Sequence, residues 1–528
     1  MNRFRRSLPL LSSVLAFLLL FSACGSAGSG PADADDSADS SDSSTVSFGA
    51  GTTAGDGRFT LYYDSGDPFN PLSSTSSYNC AVMSLVYEGL FRLDSSFRPQ
   101  PVLCESYTAN SDFTEYELTL RAGVKFHNGS VLTASDVEYS LDAARNSSKY
   151  GQRLDCISVV SAVSDSVVKI TLSSSNSNLP ALLDTPIIRS GADSASTPAG
   201  TGPYAFSAGS LELARFSGYR DDVSACPDKI FLKSRGTSNG MVADFSAGAV
   251  DLLLFDPTGT EELNIHVGCE TRNYGTSQLQ YVGFNAASPV FSHAEMRKAV
   301  ACVVDHQTIA DTVMKGFAVP AKTIFPSALW YYDEAWELKV DSVSREVSAL
   351  YAALELDDAD SDGWLGFPDS TITVKFIVSN TNSYRVAAAK KIAAALSGTG
   401  INTNLEILSW DDYTAALQAG DYDMYYAEVR LTADFDPYLL IGTGGSLNYG
   451  GFSDEALDAL MVNYLSCSGD AQVKAAGDLC SALNEKAPIV PVVYKQLTVY
   501  TRRGDVTGLD PTPSGIFCNL PSVAIEPK

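Results

Sequence analysis

The later half of the chain alternates between the two hydrophobic periods of regular secondary structure. Apolar side chains fall at every second position over 372–378 and at helical spacing over 383–396, and a short strand-like run follows at 405–407. A strand, a helix and a strand in this order predict a parallel strand pair joined by a right-handed crossover. A further helix and a further strand are predicted at 410–419 and 423–429. Region 286–488 is therefore predicted to be an α/β lobe.

Shorter elements are predicted in the first half. The pattern predicts a strand over 58–63, a helix over 78–91 and an alternating, half-buried strand over 115–120. Thr133 and Asp136, three positions apart, are typical of a capping box and predict that a helix begins there. The first half is therefore predicted to contain both strands and helices.

Residues 1–23 have the layout of a bacterial secretory signal. A cluster of arginines precedes an apolar run over 8–21, which is shorter than the ~20 residues that span a bilayer. Ser22 and Ala23 before Cys24 resemble a lipobox, so Cys24 is predicted to carry a lipid that ties the chain to a membrane. Ordinary cleavage beside an incidental cysteine and an uncleaved anchor are the alternatives. The chain is therefore predicted to work on the outer face of the cell membrane or in the periplasm.

The composition is acidic. Residues 24–57, rich in Ser, Gly, Ala and Asp, cannot bury enough apolar surface to fold and are predicted to form a disordered linker. The formal net charge of the whole chain is −26, which repels phosphate backbones and excludes nucleic acid as a partner. The chain has 10 cysteines, so an odd number is left after Cys24 and at least one is predicted to be free or paired between molecules.

Residues 236–240 match the Gly-x-Ser-x-Gly pattern of a hydrolase nucleophile elbow centred on Ser238. A strand-like run over 230–232 precedes the pattern. Only 4 histidines are present to complete a catalytic triad, and no catalytic residue is assigned. An extracellular serine hydrolase is kept as an alternative function.

Residues 358–369 match much of a calcium-binding loop. Three aspartates at alternating positions precede Gly363, the sixth position, and Asp369 stands at the twelfth. The twelfth position lacks the usual glutamate, and a strand follows where a helix is required. Local side-chain turns are the alternative reading of this loop. No metal site is assigned, because histidines and cysteines also lack metal-ligand spacing.

Several short motifs lie in order along the chain. They are Tyr87-Glu88-Gly89-Leu90, the segments 120–129 and 133–137, Gly200-Thr201-Gly202-Pro203-Tyr204, Phe284-Asn285 with Arg297-Lys298-Ala299-Val300, and Asp434-Phe435-Asp436-Pro437. Together they resemble family 5 of the extracellular solute-binding proteins, the receptors of peptide and nickel ABC importers. The resemblance covers about residues 58–520.

The resemblance implies an α/β, two-lobed, periplasmic-binding-protein-like (type II) fold with an extra subdomain in the first lobe. The implied boundaries are 58–98, 199–285 and 489–528 for lobe I, 99–198 for the extra subdomain and 286–488 for lobe II. A chain that crosses between lobes more than once allows rotation about a hinge without sliding.

The resemblance also implies a ligand site. In oligopeptide-binding relatives an Ala-Asp or Gly-Asp pair carries the carboxylate that pairs with the ligand's α-ammonium group, and Ala433-Asp434 resembles it. The alternative is that Asp434 or Asp436 caps a helix beginning at Pro437. Further candidate ligand contacts, each with packing as the alternative, are Tyr78, Asn79, Trp410 and Tyr426, together with Asn448 and Tyr449 in the glycine-rich loop 442–451.

The sequence therefore predicts a lipid-anchored binding protein of an ABC importer. It would capture di- or oligopeptides between two lobes and deliver them to the membrane permease. We expect a monomer that needs no cofactor and catalyses no reaction, and ATP hydrolysis would fall to the partner because the chain has no Walker A motif. A nickel chelate or an oligosaccharide is the alternative ligand.

Overall fold

The structure is a computed structural model and describes residues 58–261, 263–368 and 370–526. The predicted signal at 1–23, the lipidation site Cys24, the linker at 24–57 and Asp369 lie outside the described residues. Within the described part of the chain, no helix is both long and apolar enough to cross a bilayer.

The first lobe contains three groups of elements. The chain begins with β1 (Phe59–Tyr63), α1 (Ser77–Met83), β2 (Phe91–Leu93) and β3 (Pro99–Pro101). An antiparallel sheet of order β4-β5-β7-β6 and two helices follow, formed by β4 (Cys104–Ala109), β5 (Glu115–Leu120), α2 (Ala134–Arg145), β6 (Ile157–Ser164), β7 (Val167–Leu172) and α3 (Leu179–Leu182). The third group is β8 (Tyr204–Phe206), β9 (Glu212–Arg215), β10 (Lys229–Ser234), α4 (Ser238–Ala247) and β11 (Leu252–Phe255).

Two long strands connect this lobe to the second lobe. The outgoing strand is β12 (Cys269–Phe284), and the returning strand is β19 (Ile489–Arg502). Between them lie α5 (Ala294–Val303), α6 (His306–Thr308), β13 (Ala318–Pro320), α7 (Val343–Ala353), β14 (Gly366–Phe367), β15 (Ser370–Thr371), β16 (Thr373–Ser379), α8 (Ser383–Ser397), β17 (Asn402–Leu408), α9 (Trp410–Ala419), β18 (Met424–Arg430), α10 (Tyr438–Ile441), α11 (Glu455–Leu465) and α12 (Asp470–Lys486). The described chain ends with β20 (Val506–Thr507) and β21 (Ala524–Ile525).

One 11-stranded sheet runs through both lobes. Its order is β17-β16-β18-β12-β19-β11-β1-β10-β9-β8, with β13 also paired to β19. Strand β1 is parallel to β10, and β16 is parallel to β17 and β18, whereas β12 and β19 pair with each other antiparallel. Their pairing changes register between Gly275 and Leu279, at the passage from one lobe to the other. The sheet therefore carries the hinge as two hydrogen-bonded strands.

Apolar side chains fill both lobes and also join them. In the second lobe the sheet buries side chains on both faces, so that Tyr425 and Tyr426 belong to different clusters. Phe97, from the first lobe, belongs to the cluster of Tyr425, and its ring centroid lies 5.1 Å from that of Phe435. The lobes are thus in direct apolar contact. The residue boundaries of the lobes and of the extra subdomain stay predictions.

The structure confirms the strand-helix-strand unit as β16, α8 and β17, paired parallel. It also confirms the helix start at Thr133, whose backbone N–H donates to the Asp136 carboxylate at 3.0 Å. Asn382 caps α8, because its side-chain oxygen accepts from the N–H of Arg385 at 3.0 Å.

The helix predicted over 78–91 is wrong in length, since α1 ends at Met83. The backbone carbonyls of Leu85 and Val86 instead accept hydrogen bonds from Tyr204 and Gly202, at 3.0 and 2.9 Å. Pairing with a distant segment therefore overrides the local helical period.

Candidate functional site

Strands from both lobes end close to one another, and in an open α/β sheet ligands bind beyond the carboxyl ends of the strands. Thr258 follows β11 of the first lobe, and Asn382 follows β16 of the second lobe. The Asn382 side-chain amide donates to the Thr258 carbonyl at 2.8 Å, and both residues are buried. The carboxyl ends of the two sets of strands therefore meet, and the candidate site lies between them.

A cluster of charged residues centred on one buried lysine lies beside this contact. Lys495, on β19, is 4% exposed, and its Nζ lies 2.7 Å from Asp256 Oδ2 and 3.6 Å from Glu428 Oε2. Gln280 on β12 donates to Glu428 at 2.9 Å and accepts from the Tyr426 hydroxyl at 2.9 Å. The cluster thus connects the first lobe, both hinge strands and the second lobe.

Two opposing influences set the protonation of Glu428. Burial alone would raise its pKa, because it penalises the charged form. The positive charges of Lys495 and Arg385 outweigh burial, so the pKa of Glu428 lies below its usual value. Glu428 is therefore a half-buried carboxylate whose charged form is favoured by neighbouring cations.

Asp434 lies at the contact between the lobes. It is 5% exposed, and its Oδ2 accepts from the Asn176 side-chain amide at 2.8 Å. Its Oδ1 is buried and has no hydrogen-bond partner among the described residues. The carboxylate does not cap α10, because Asp436 accepts from the N–H of Tyr438 at 2.9 Å. Asp434 therefore presents one unsatisfied anionic oxygen inside the molecule, which is costly unless a cation or donor pairs with it.

The backbone around Asp434 is held in an uncommon conformation. Phe435 has a φ of 54°, in the left-handed region, and is fully buried against Phe97. Such a conformation persists in a residue with a large side chain only where surrounding packing imposes it. Burial, followed by the nearby charge of Asp434, raises the pKa of Asp436 to about 7. Asp436 therefore holds its proton more strongly than an ordinary aspartate, because a second negative charge beside Asp434 is unfavourable.

Arg385, whose charge acts on Glu428, is a candidate site residue that the sequence reasoning did not single out. It lies in the first turn of α8, and its Nε is buried without a hydrogen-bond partner among the described residues. Its Nη2 donates to Thr381 Oγ1 at 3.2 Å. A cation at the positive, amino-terminal end of a helix is unfavourable. An arginine three residues after a capping asparagine was therefore an unusual feature of the sequence that could have marked it as a functional candidate.

The other predicted contacts lie at several places. Tyr426 belongs to the charged cluster, and the Tyr78 hydroxyl donates to the Leu254 carbonyl at 2.9 Å. Asn79 is fully buried and bonds to the backbone of Asp64, at 2.8 and 3.0 Å. Their role as ligand contacts stays a prediction.

Three predicted contacts lie elsewhere in the second lobe. Trp410 begins α9 and packs on Tyr413, with ring centroids 5.9 Å apart. The Asn448 amide donates to two backbone carbonyls of its own loop, and the ring centroid of Tyr449 lies 6.3 Å from that of Tyr425. None of these contacts joins them to Asp434, and their ligand role also stays a prediction.

A cavity of about 250 Å³ lies against the hinge strands. Phe97, Tyr274, Tyr494 and Asp510 are among its lining residues. Since successive side chains of a strand point to opposite faces, Tyr494 faces this cavity and Lys495 faces away from it. The cavity and the charged cluster therefore lie on opposite faces of β19.

The alternative motifs have simple local surroundings. Ser238 is the first residue of α4, and its Oγ lies 3.4 Å from a carboxylate oxygen of Glu261. In the part of the chain that the structure describes, no histidine hydrogen bonds to Ser238. Ligand oxygens of Asp358, Asp360 and Asp362 lie within 4.8 Å of one another, but the twelfth loop position is not described. Among the described residues, the structure therefore adds no histidine partner to Ser238 and no fourth acidic ligand to the three aspartates.

Two lobes joined by paired strands of one sheet, with polar residues meeting where the strands of both lobes end, define the two-lobed type II solute-binding class. Residues 98–449 match the family described as bacterial extracellular solute-binding proteins, family 5, middle. The chain belongs to this family, which confirms the expected family and fold class.

Individual relatives are distant. The glutathione-binding protein GsiB of Salmonella choleraesuis strain SC-B67 is 26% identical over 291 residues, which cover 50% of this chain and 57% of that protein. The chain thus spans little more than half the length of the curated relatives it matches.

Solved structures are similar over more of the chain. The oligopeptide-binding protein AppA of Bacillus subtilis, in complex with a nonapeptide, is 20% identical with a TM-score of 0.61, and the match covers 89% of this chain and 99% of that one. NikZ of Campylobacter jejuni, in complex with Ni(L-His), is 18% identical with a TM-score of 0.65, over 88% and 99%. At these identities the likeness shows the fold alone.

Proposed function

We propose that this protein is the receptor of an ABC importer and captures peptides with a free amino terminus between its two lobes. The observation that carries the proposal is Asp434, a buried carboxylate at the contact between the lobes with one unpaired oxygen. The ammonium group of a peptide supplies both a donor and the opposite charge. Arg385, a half-buried residue whose Nε is buried and unpaired among the described residues, is the matching candidate for a ligand carboxylate. The glutathione that one relative binds is itself a tripeptide with a free amine.

Enclosure between the lobes explains how the ligand would act as a signal. A ligand that contacts both lobes binds the closed arrangement better than the open one and shifts the population towards it. The permease would recognise this closed arrangement. We further propose that the chain is a lipid-anchored monomer on the outer face of the membrane, without a cofactor, and that it catalyses no reaction.

The variant Asp434→Asn tests the amine assignment. Loss of the charge should weaken the binding of trialanine by about 1–3 kcal/mol, the range for hydrogen bonds to charged groups. Isothermal titration calorimetry measures the change, and Asp165→Asn is the control because it removes an exposed carboxylate from the turn between β6 and β7. Equal affinity of Asp434→Asn and the unsubstituted protein would remove Asp434 from the site.

Mass spectrometry of what co-purifies with the protein tests the ligand class. Peptides are the expected finding. A nickel chelate or an oligosaccharide in their place, together with no heat on adding trialanine or glutathione, would overturn the peptide proposal. A Ser238→Ala variant that loses a measured esterase activity would support the hydrolase alternative instead.

A further inference from the structure

We infer that Asn176, from the first lobe, is a positioning residue that makes Asp434 selective for a cationic amine. It binds one carboxylate oxygen and leaves the other free for the ligand. The inference rests on the proposed function and adds a residue that the motifs of the family did not include. It also gives the first lobe a direct role in the recognition of the ligand's amino terminus.

Asn176 is held rigidly in place. It is 2% exposed, its backbone N–H donates to the Phe113 carbonyl at 3.1 Å, and its carbonyl accepts from the Tyr116 hydroxyl at 2.7 Å. Its side-chain oxygen accepts from the N–H of Asn178 at 2.9 Å. Because the oxygen has this donor as its partner, the amide nitrogen must face Asp434. The contact of 2.8 Å between that nitrogen and Asp434 Oδ2 is therefore a directed N–H···O bond.

The segment 176–178 is fastened to the second lobe by further bonds. The N–H of Ser177 donates to the Leu465 carbonyl at 2.7 Å. Gln472 donates to the Asn178 side-chain oxygen at 2.8 Å, and Asn178 donates to the Asp434 carbonyl at 3.2 Å. The segment thus meets both the backbone and the side chain of Asp434. This arrangement fixes which of the two carboxylate oxygens remains free.

The chemistry of an amide explains why it confers selectivity. An asparagine donates a hydrogen bond but carries no charge, so the negative charge of Asp434 is not neutralised. A lysine or arginine at this position would quench the carboxylate and remove the need for a cationic ligand. Oδ1 remains buried and unpaired, and a ligand ammonium satisfies it better than a neutral amide, which brings no charge.

Lobe closure and amine recognition are coupled by the same bond. Asn176 and Asp434 are separated by 258 positions in sequence and belong to different lobes. The bond between them therefore forms only when the lobes meet. Asp434 therefore has one bonded and one unpaired oxygen only in the closed arrangement. A ligand without an amine would leave the unpaired oxygen unsatisfied and would stabilise that arrangement less.

The test compares trialanine with N-acetyl-trialanine by isothermal titration calorimetry. The readout is the ratio of the two affinities, which a merely structural role would leave unchanged. We expect the unsubstituted protein to favour the free amine at least tenfold and Asn176→Ala to reduce that ratio by about tenfold. Ser174→Ala is the matched control, since it removes an exposed hydroxyl two positions before Asn176 and outside the segment 176–178, and it should keep the ratio.

Each outcome decides between the two proposals. Suppose that Asp434→Asn removes the preference for the free amine. If Asn176→Ala then leaves the ratio intact, or lowers the affinities for both ligands equally, the role of Asn176 is overturned and the proposed function stands. If Asp434→Asn leaves the ratio intact, both are overturned. Should Asn176→Ala fail to fold, Asn176→Gln keeps the amide on a longer side chain and must also lower the ratio. An unchanged ratio in that variant would overturn the inference.

Discussion

Gly200 and Gly202 show how single residues fix the connection between distant parts of the first lobe. A Cβ atom at Gly200 would collide with the Val86 carbonyl oxygen, and one at Gly202 would lie 2.6 Å from the Leu85 carbonyl oxygen. His127 joins the same contact, because its Nδ1 accepts from the N–H of Gly200 at 3.3 Å and its Nε2 donates to the Gly202 carbonyl at 3.0 Å. The Gly-Thr-Gly motif is therefore explained by close backbone approach.

Substitution of Gly200 by alanine should destabilise the fold. The added methyl group meets backbone, which cannot move aside cheaply, so we expect the free energy of unfolding to fall by about 1–3 kcal/mol. Gly236→Ala is the control, since a Cβ there meets open space, and it should change the value by less than about 0.5 kcal/mol. Urea denaturation measures both, and similar values for the two variants would contradict the steric explanation.

At the scale of elements, the hinge strand β19 is unusual because it carries a buried lysine. It places Lys495 between Asp256 of the first lobe and Glu428 of the second, whereas its neighbour Tyr494 points to the opposite face. A buried lysine is tolerated because two carboxylates compensate it. Loss of the lysine would leave the half-buried Glu428 without its strongest cationic neighbour.

Because both carboxylates are partly exposed, Lys495→Met should lower the free energy of unfolding by about 1–3 kcal/mol at neutral pH. Glu428 has a pKa below its usual value of 4.5 in the folded protein, so its contribution is present above pH 4.5 and is lost as the pH falls through the lower folded value. The deficit of the variant should accordingly shrink in acid. Denaturation at pH 7 and pH 4 measures it, and the double variant with Glu428→Gln should recover part of the loss.

The elements also show how far sequence reasoning could go. The unit β16-α8-β17 was predictable because each of its elements carries a clear local period. The outgoing strand β12 was not, since its first half is only partly buried and shows no alternation. Asn176 could not be found either, because its partner lies 258 positions away and no local pattern marks either residue as paired. Contacts between the lobes depend on how the whole chain folds, so a local sequence pattern does not predict them.

At the scale of the whole molecule, the two lobes meet through both polar and apolar contacts. Asn382 bonds to Thr258 on one side, Asn176 bonds to Asp434 on another, and Phe97 packs on Phe435. Each of these contacts joins residues of different lobes and would break if the lobes separated. The chain's own side chains therefore contribute to lobe closure in addition to any contact that a ligand makes with both lobes.

Asn382→Ala should shift the unliganded protein towards an open arrangement. The variant loses the side-chain bond to Thr258, so small-angle X-ray scattering should give a larger radius of gyration than for the unsubstituted protein. Saturating trialanine should bring the two values together, because ligand binding favours closure. Identical profiles with and without trialanine in both proteins would contradict closure on binding.

The change of register between β12 and β19 has a consequence for repeated use. Between the pairs Gly275–Gln496 and Leu279–Tyr494, β12 advances by four residues while β19 advances by two, so β12 carries two extra residues where it passes from one lobe to the other. The extra residues can change their backbone angles when the lobes rotate, so the hydrogen-bonded strand pairs on either side need not break. A receptor that binds and releases its ligand many times would thus bend at this irregular stretch of the two strands and return after each cycle to the same geometry.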